Sequence, residues 1–247
     1  MPPLPSTTST ACQRWTLGRH SWRHVSEGGF DRRRFTVTPI PEATARAFVR
    51  RHHYSGSYPA ARFAWGLFTD DQTLADNNDP LVGVAVLSIP MRAAVLTNVF
   101  TELTPLHESL ELGRFVLTDP VPANAESWFL AQVWKHAAAA GIRGVVAFAD
   151  PLRRQRTITD IGPDGHLITR TETLTPGHVG TIYQATGAIS LGRSTARTLN
   201  YVPSAGIVLS ERTLSKIRTS EQGCDAAERH LVTLGARTRR AHEDPRS

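Results

Sequence analysis

The stretch LELGRFVLTDPVPANAESWFLAQVWKHAAAAGIRGVVAFAD, residues 110–150, decides the fold, because it reads as strand, helix and strand in succession. LELGRFVLT is typical of an apolar strand. NAESWFLAQVWKHAAAAG predicts a helix that Asn124 caps and Gly141 ends. Its apolar side comprises Trp128, Leu130, Val133, Trp134 and Ala137. RGVVAFAD is a continuous apolar run, which predicts a fully buried strand that ends at an acid.

The residues before this stretch supply further elements. RRRFTVTPI predicts a first strand, and PEATARAFVRRHH predicts a helix whose inner face holds Ala43, Ala47 and Val49. ARFAWGLFT and LVGVAVLSIP predict a hairpin, joined by the polar turn DDQTLADNNDP. A hairpin followed by strand, helix and strand implies a mixed sheet with helices packed on it. We therefore predict an α/β (α+β) fold with a mixed central sheet flanked by helices.

The residues after this stretch are more polar. Residues 151–177 predict a loop or a small hairpin that turns at PDGH. HVGTIYQATG predicts a short helix and AISLGRS a last core strand. Residues 209–247, here called the tail, predict one or two amphipathic helices that begin with a cap at Ser210. These helices would either pack on the main domain as a lid or bind nucleic acid. The expected organisation is a flexible basic arm (1–30), a main domain (31–208) and a helical extension (209–247).

Positive charge is concentrated near the N-terminus. The formal net charge is +6, and residues 1–51 hold nine arginines against three acids, whereas residues 52–208 hold eleven basic residues against thirteen acids. Such an arm can neutralise phosphates and release counterions, which favours nucleic acid as the class of partner. The alternative interpretation is that the arginine content reflects genomic base composition.

The sequence predicts a cytoplasmic protein. No apolar run approaches the roughly 20 residues that a membrane-spanning helix needs, and the N-terminal residues lack the features of a secretory signal. Cys12 and Cys224 lie far apart and match no metal-ligand spacing. A reduced compartment without a disulfide framework is therefore expected.

Polar residues cluster at two places in the first half of the chain. HHYSGSYP places His53, Tyr54 and Ser55 after a helix, where a loop can gather side chains around a ligand. ELGRF places Glu111 and Arg114 in an otherwise apolar strand, where charges must be paired or face a cavity. Being three residues apart, they are expected on opposite faces of the strand. The structural alternatives are a packed histidine and an exposed edge strand.

Two further clusters follow. Asp150 ends the FAD stretch, at the strand terminus where ligands collect in open α/β sheets, and its carboxylate could act as a general base. GHVGTIYQATG holds Gly177 and Gly180 at the start of a helix whose free amides could hold an anion or carbonyl, with Tyr183 and Gln184 one turn further on. Capping is the structural alternative for Asp150, and the glycine pattern by itself is weak evidence.

Several common motifs are missing from the sequence. It has no GxxxxGK[ST] phosphate loop, no GxGxxG, no GxSxG elbow, no HExxH and no paired cysteine metal site. Nucleotide hydrolysis, dinucleotide redox chemistry and serine hydrolysis are thereby disfavoured.

Taken in order, HHYSGSYP, LVGVAVLSIP, ELGRFVLTD, NAESWFLAQVWK, VVAFADP and GHVGTIYQATGAISLGRS resemble the Mom family of phage DNA-modification proteins. The resemblance implies a GNAT-like fold. It also implies conversion of the exocyclic amine of adenine in DNA to a carbamoylmethyl form, which protects phage DNA from host restriction. The stretch IYQATG is similar to a recurrent stretch of the GNAT superfamily.

The resemblance implies a set of site residues. Its motifs assign the active site to His53, Tyr54, Ser55, Arg114, Ser127 and Asp150, with Tyr183 as a further member. We add Glu111, His178, Gly180, Tyr183 and Gln184 as candidate substrate-binding residues, and we assign no metal ligand. We expect Asp150 or His53 to accept a proton as the amine attacks, Arg114 to hold a carbonyl or phosphate, and Tyr54 to stack on an extruded base.

One segment departs from the acetyl-CoA-dependent GNAT pattern. Those enzymes hold a pyrophosphate on a glycine-rich loop before the helix, whereas the corresponding segment here is TDPVPANAES, which contains prolines and no glycine. Proline has no amide to donate. This argues against acyl-CoA and leaves the donor unknown, with a glycyl or aminoacyl carrier as one alternative. Two rival functions stay open: a GNAT-like acyl-CoA-dependent acyltransferase acting on a small amine or protein, and a non-catalytic DNA-binding module.

Overall fold

The computed structural model describes residues 11–16, 19–24, 30–75, 79–122, 124–161, 163, 166–175, 177–195, 200–202, 204, 207–209 and 211–236. The chain divides into two compact units. The first, here called the sheet unit, comprises Met1–Leu152 and Pro176–Leu191, and the second comprises Arg153–Thr175 and Gly192–Ser247. The predicted ranges 1–30, 31–208 and 209–247 stay predictions, since compactness alone does not show which ranges fold independently.

The described strands and helices are as follows. The strands are β1 (Ala11–Thr16), β2 (Arg19–His24), β3 (Phe35–Pro39), β4 (Ala61–Thr69), β5 (Leu81–Ser88), β6 (Ser109–Leu117), β7 (Gly144–Ala147), β8 (Arg154–Ile161), β9 (Leu167–Thr175), β10 (Asn200–Val202) and β11 (Ile207–Leu209). The helices are α1 (Glu42–His52), α2 (Ala94–Thr97), α3 (Ala125–Ala139), α4 (Thr181–Gln184), α5 (Glu211–Arg218) and α6 (Cys224–Thr233).

A five-stranded sheet in the order β3-β4-β5-β6-β7 forms the centre of the sheet unit. Neighbouring strands are antiparallel, except that β6 and β7 are parallel. The parallel pair requires a crossover, which α3 provides. The predicted hairpin of β4 and β5 and the predicted mixed α/β (α+β) class are thus confirmed.

Helix α1 packs on one face of the sheet. The cluster on this face consists of Ala45, Phe48, Val49, Leu81, Val84 and Val86. The helix and the buried position of Val49 were predicted correctly, but Ala43 and Ala47 of the predicted inner face are exposed. Phe48 and Val49 turn the apolar stripe toward the sheet, since burying large side chains releases more free energy than burying alanines.

Helix α3 packs on the opposite face. Its buried residues are Ala125, Phe129, Leu130, Val133 and Ala137, and they contact the main core cluster. Each fully buried leucine or phenylalanine contributes on the order of 2 kcal/mol. The predicted cap was wrong: Asn124 has a left-handed φ of 73°, and its side chain makes no capping hydrogen bond. A cap residue normally has extended backbone geometry, from which its side chain can reach the first amides of the helix.

Strand β7 is shorter and less buried than predicted. It ends at Ala147, Val145 to Ala147 are only partly buried, and Phe148 is 47% exposed. Its position at the edge of the sheet explains the exposure. Pairing with β6 stops at Leu112 opposite Ala147, while β6 continues to Leu117. The pairing of the two parallel strands therefore ends at Leu112 and Ala147, where β7 itself ends.

The prediction of a core strand at AISLGRS was wrong. Residues 188–194 form no strand, and Ile189 and Leu191 are 85% and 70% exposed. Gly187 and Gly192, with left-handed φ values of 85° and 90°, lie on either side of Ile189 and Leu191. Its alternating apolar residues resemble a strand, but no described strand pairs with it.

The second unit contains the predicted hairpin, in which β8 pairs with β9 in antiparallel fashion. A second antiparallel pair joins β10 and β11. The tail forms two helices, α5 and α6, in agreement with the prediction of one or two. The predicted cap Ser210 lies outside the described residues. An antiparallel pair, β1 and β2, lies within the predicted arm and was not foreseen from the sequence.

Candidate active site

The loop after α1 holds the histidine, tyrosine and serine of the first cluster. The His53 N–H donates to the Val49 carbonyl (2.9 Å) and ends the helix. Gly56, at a left-handed φ of 57°, donates to the His53 carbonyl (2.9 Å) and closes the turn. The rings of His53 and Tyr54 stack with centroids 4.4 Å apart. Tyr54 is 37% exposed, so part of its ring remains available to a ligand.

The hydrogen bonds of His53 define which ring nitrogen can act. The backbone N–H of Ser55 donates to His53 Nδ1 (3.2 Å), and the Ser55 hydroxyl lies 2.9 Å from the same atom. Since an amide can only donate, Nδ1 is the acceptor, and the proton of the neutral ring resides on Nε2. The loop therefore fixes the tautomer of His53.

A β-bulge brings Glu111 and Arg114 to the same face of the sheet. Opposite β5, the register passes from Arg114 beside Val86 to Leu112 beside Leu87, so Gly113 is the extra residue. Glu111 lies opposite Ser88. Directly paired residues share a face and side chains alternate along a strand, so Glu111 and Arg114 both lie on the face that α1 covers. The prediction of opposite faces was wrong because the bulge shifts the alternation by one residue.

Arg114 is held by backbone and hydroxyl oxygens. Its Nε donates to the Ser57 carbonyl (2.9 Å), its Nη2 to the Ser57 hydroxyl (2.7 Å), and its Nη1 to the Gly113 carbonyl. Burial lowers the pKa of Arg114 below its ordinary value, whereas Tyr54 and Glu111 act in the opposite direction. An arginine nonetheless stays charged near neutral pH. Since Tyr54 lies in the loop after α1 and Arg114 lies in β6, their interaction links that loop to the strand.

Asp150 and His178 meet where the chain leaves and re-enters the sheet unit. The His178 N–H donates to the Asp150 carbonyl (2.8 Å), and the Asp150 carboxylate accepts from the Leu152 N–H (3.1 Å). Gly177, at a φ of 77°, lies so close that a Cβ there would be 2.4 Å from the Pro151 carbonyl oxygen. The two ends of the excursion between Asp150 and His178 are thus joined tightly.

His178 is electrostatically placed to accept a proton. Although the residue is exposed overall, partial desolvation lowers the pKa of its ring below 6.5, and the Asp150 carboxylate opposes this shift. The ring is therefore neutral near pH 7. Its centroid lies 6.0 Å from that of Tyr183 in an edge-on arrangement.

Tyr183 connects the two groups of residues. It lies in the short helix α4, packs against the main core cluster, and has its pKa raised to about 12, first by burial and then by Tyr54. Gly180 precedes it at a φ of 78°, and a Cβ there would be 3.2 Å from the Tyr183 ring. The phenol therefore stays protonated and can serve as a hydrogen-bond donor. Gln184 is exposed, and its N–H donates to the Gly180 carbonyl (3.2 Å).

Replacement of Tyr183 by phenylalanine tests this burial. The pKa of Tyr183 is about 12 in the folded chain, against 10 in the unfolded chain, so folding favours the protonated phenol. The stability that this residue contributes is therefore present below pH 10 and is lost as the pH rises toward 12. The wild-type chain should lose on the order of 2 kcal/mol more than Tyr183→Phe across that interval. Urea unfolding at each pH measures the difference, and equal pH dependence in both chains would contradict it.

Most of the candidate residues lie together, but Ser127 does not join them. Tyr54 interacts with Arg114 and Tyr183, and Tyr183 with His178, which in turn interacts with Asp150. Ser127 lies on the first turn of α3, and its hydroxyl donates to the Asn124 carbonyl (3.2 Å). Among the described contacts, none connects the Ser127 side chain to the others.

Sequence reasoning missed two residues of this region, Ser57 and Gly113. Ser57 belongs to the quoted HHYSGSYP cluster, where a second serine beside a tight turn was a usable signal. Gly113 lies inside the quoted ELGRF, and an isolated glycine in a strand indicates a bulge. His52 and Tyr58 from the same cluster have packing roles, since His52 contacts the Phe48 ring and Tyr58 lies under the Arg46 guanidinium.

Two further features are absent from the described residues. None of the described helices is long and apolar enough to cross a membrane. Within the same part of the chain, no three His, Cys, Asp or Glu residues are grouped so that they could hold a metal ion.

The fold and the polar cluster define a mixed α/β protein with a candidate active site that includes the turn after β7. The model of the Mom protein family matches residues 34–157, and the chain belongs to this family, which is associated with modification of phage DNA. No curated protein matches the chain. His53, Arg114 and Asp150 lie within the matched range, whereas His178 and Tyr183 lie beyond it.

Proposed function

We propose that the protein is a GNAT-like transferase that converts adenine in double-stranded DNA to carbamoylmethyl-adenine and so protects phage DNA from host restriction. The observation that carries this proposal is the pair of hydrogen bonds by which Arg114 of β6 contacts Ser57 in the loop after α1, in a chain that belongs to the Mom family. These bonds join two of the distant segments that supply candidate site residues. Its place of action is the cytoplasm of the host cell.

The proposed chemistry is nucleophilic attack by the exocyclic amine. The amine nitrogen forms a bond to the methylene carbon of a donor that carries the carbamoylmethyl group. The bond from that carbon to the leaving group breaks, the leaving group departs with the electron pair, and the amine proton passes to a base. The adenine ring draws on the lone pair of this amine, so it is a weak nucleophile, and a base is needed. His178, neutral near pH 7 beside the Asp150 carboxylate, meets that need together with Asp150 itself and His53.

The remaining residues would bind and orient the substrates. An adenine inside a duplex must be extruded before its amine can be reached, and Tyr54, whose ring is stacked on His53 and partly exposed, offers a platform for it. Arg114 would hold an oxygen of the donor or of a phosphate. Tyr183, protonated up to about pH 12, would donate a hydrogen bond. Positive charge in residues 1–51 would contact the DNA backbone.

Mass spectrometry of nucleosides tests the proposal. DNA from cells that express the protein should contain a deoxyadenosine with one added carbamoylmethyl group, and DNA from cells without it should not. Unmodified deoxyadenosine despite good expression of folded protein would contradict the proposal.

The alternative enzyme, an acyl-CoA-dependent acyltransferase, is disfavoured by the segment between β6 and α3. The amides of Val121 and Ala125 already donate to the carbonyls of Thr118 and Pro122. Pro120 and Pro122 have no amide. The two prolines and the two internally bonded amides therefore reduce the number of donors that this segment can offer to a pyrophosphate. Tight calorimetric binding of acetyl-CoA without DNA would favour this alternative.

The second alternative is a DNA-binding module without chemistry. It predicts salt-dependent binding of duplex DNA that survives loss of Arg114 and Asp150 and is weakened by removal of residues 1–30. Measurement of DNA affinity by fluorescence anisotropy at two salt concentrations, alongside the nucleoside assay, separates it from the enzyme.

A further inference from the structure

Ser57 makes the principal contacts of Arg114 outside its own strand. The Ser57 carbonyl and hydroxyl accept from Nε (2.9 Å) and Nη2 (2.7 Å) of the same guanidinium. These two nitrogens form one edge of the planar group. Two bonds from one edge to one residue fix both the position and the plane of the guanidinium, which a single bond would leave free to rotate.

The same hydroxyl continues toward His53. Ser57 Oγ lies 3.3 Å from Ser55 Oγ, which lies 2.9 Å from His53 Nδ1. Since Nδ1 accepts, the donors run in one direction, from the Arg114 guanidinium through the two hydroxyls to the imidazole. Hydrogen bonds aligned in this way polarise and strengthen one another. Ser57 thus joins the arginine on β6 to the histidine after α1.

The remaining donors of Arg114 indicate what it can bind. Within the described residues, three of its five N–H groups are used, by two oxygens of Ser57 and the carbonyl of Gly113. One N–H remains on Nη1 and one on Nη2. These suit a ligand that presents oxygen acceptors to the end of the guanidinium, such as a carboxylate, a carboxamide or a phosphate.

We propose that Ser57 is a positioning residue that orients Arg114 so that its free Nη1 and Nη2 donors face an oxygen-bearing substrate group. The substrate part of this inference rests on the proposed DNA modification, but the orientation of Arg114 does not. Serine at position 57 acts through Arg114 and does not touch the reacting atoms.

Two variants at position 57 test the proposal. Ser57→Ala removes the hydroxyl and is expected to lower the rate of deoxyadenosine modification about 10- to 100-fold, the usual effect of losing a hydrogen bond that orients a charged group. Ser57→Thr keeps the hydroxyl and should restore most of the rate. Ser190→Ala, at an exposed residue outside the site, is the matched control, and thermal unfolding verifies that every variant is folded.

A double-variant cycle tells positioning from a separate structural effect. Lysine cannot make both hydrogen bonds to Ser57, so Arg114→Lys already removes the orientation that these two bonds impose. Adding Ser57→Ala to Arg114→Lys should then cost little more activity. If Ser57→Ala lowers the rate by the same factor in both backgrounds, Ser57 does not act through Arg114 and the proposal is overturned.

Nuclear magnetic resonance gives a readout without DNA. In the full-length chain, the Nη2–H signals of Arg114, identified by their loss in Arg114→Lys, should exchange with water and rotate faster in Ser57→Ala but not in Ser57→Thr. Unchanged signals in Ser57→Ala would overturn the proposal. Absence of modified deoxyadenosine even with the wild-type chain would instead contradict the proposed function, while the resonances would still decide the role of Ser57.

Discussion

Replacement of Asp150 by asparagine is expected to lower the yield of modified deoxyadenosine at least about 100-fold, the low end of what a general base contributes. Asparagine is nearly isosteric and keeps a side-chain oxygen to accept from the Leu152 N–H, so the turn after β7 is preserved. The carboxylate charge that faces His178 is lost, and the pKa of His178 falls further. A loss of activity in Asp150→Asn would therefore show that the negative charge of the carboxylate is needed.

Nucleoside mass spectrometry and thermal unfolding of the same preparations measure this prediction. Asp70→Asn is the matched control, because it removes a carboxylate that pairs with Arg34 outside the candidate site. The control should modify DNA as the wild type does. A fully active, folded Asp150→Asn chain would remove Asp150 from the mechanism.

Replacement of Gly113 by alanine is expected to destabilise the sheet unit by about 1–3 kcal/mol and to abolish most of the activity. A Cβ at this position would lie 2.1 Å from the Ser88 hydroxyl oxygen and 2.9 Å from Ser88 Cβ, and Ser88 is buried. The strand must shift to relieve this overlap. Arg114, the next residue, would move with it and lose its register with Ser57.

Urea unfolding and the nucleoside assay together measure this effect. Ser88→Ala removes the closer of the two clashing atoms, so the double variant Gly113→Ala/Ser88→Ala should be less destabilised than the sum of the single variants. Strictly additive losses would show that the overlap at Ser88 is not the cause.

Local sequence was sufficient to predict elements whose apolar pattern is continuous. ARFAWGLFT predicted the bounds of β4, and NAESWFLAQVWKHAAAAG predicted α3 to within a residue or two. In both stretches the apolar composition agrees with the burial that the structure shows. Features that depend on contacts between distant parts of the chain could not be predicted from local sequence. The bulge at Gly113 depends on which residues of β5 lie opposite, and the approach of Tyr54 to Tyr183 depends on closure of the whole sheet unit.

Local patterns also failed where backbone geometry overrode them. Asn124 is a common cap residue, but its left-handed backbone prevents the capping bond. Ile189 and Leu191 alternate as in a strand, yet the two neighbouring glycines turn the segment away from pairing. The candidate site residues were found by residue type and order, whereas Ser57 became visible only through its two bonds to Arg114.

The hydrogen bond between His178 and Asp150 gives the insertion that separates them an unusual freedom to vary. Because the two ends are already joined, lengthening the excursion costs only the slowly growing entropy of a longer loop. The hydrogen bond therefore sets the spacing of the two ends without fixing how many residues lie between Leu152 and Pro176. The β8–β9 hairpin can be lengthened or shortened without pulling Asp150 and His178 apart.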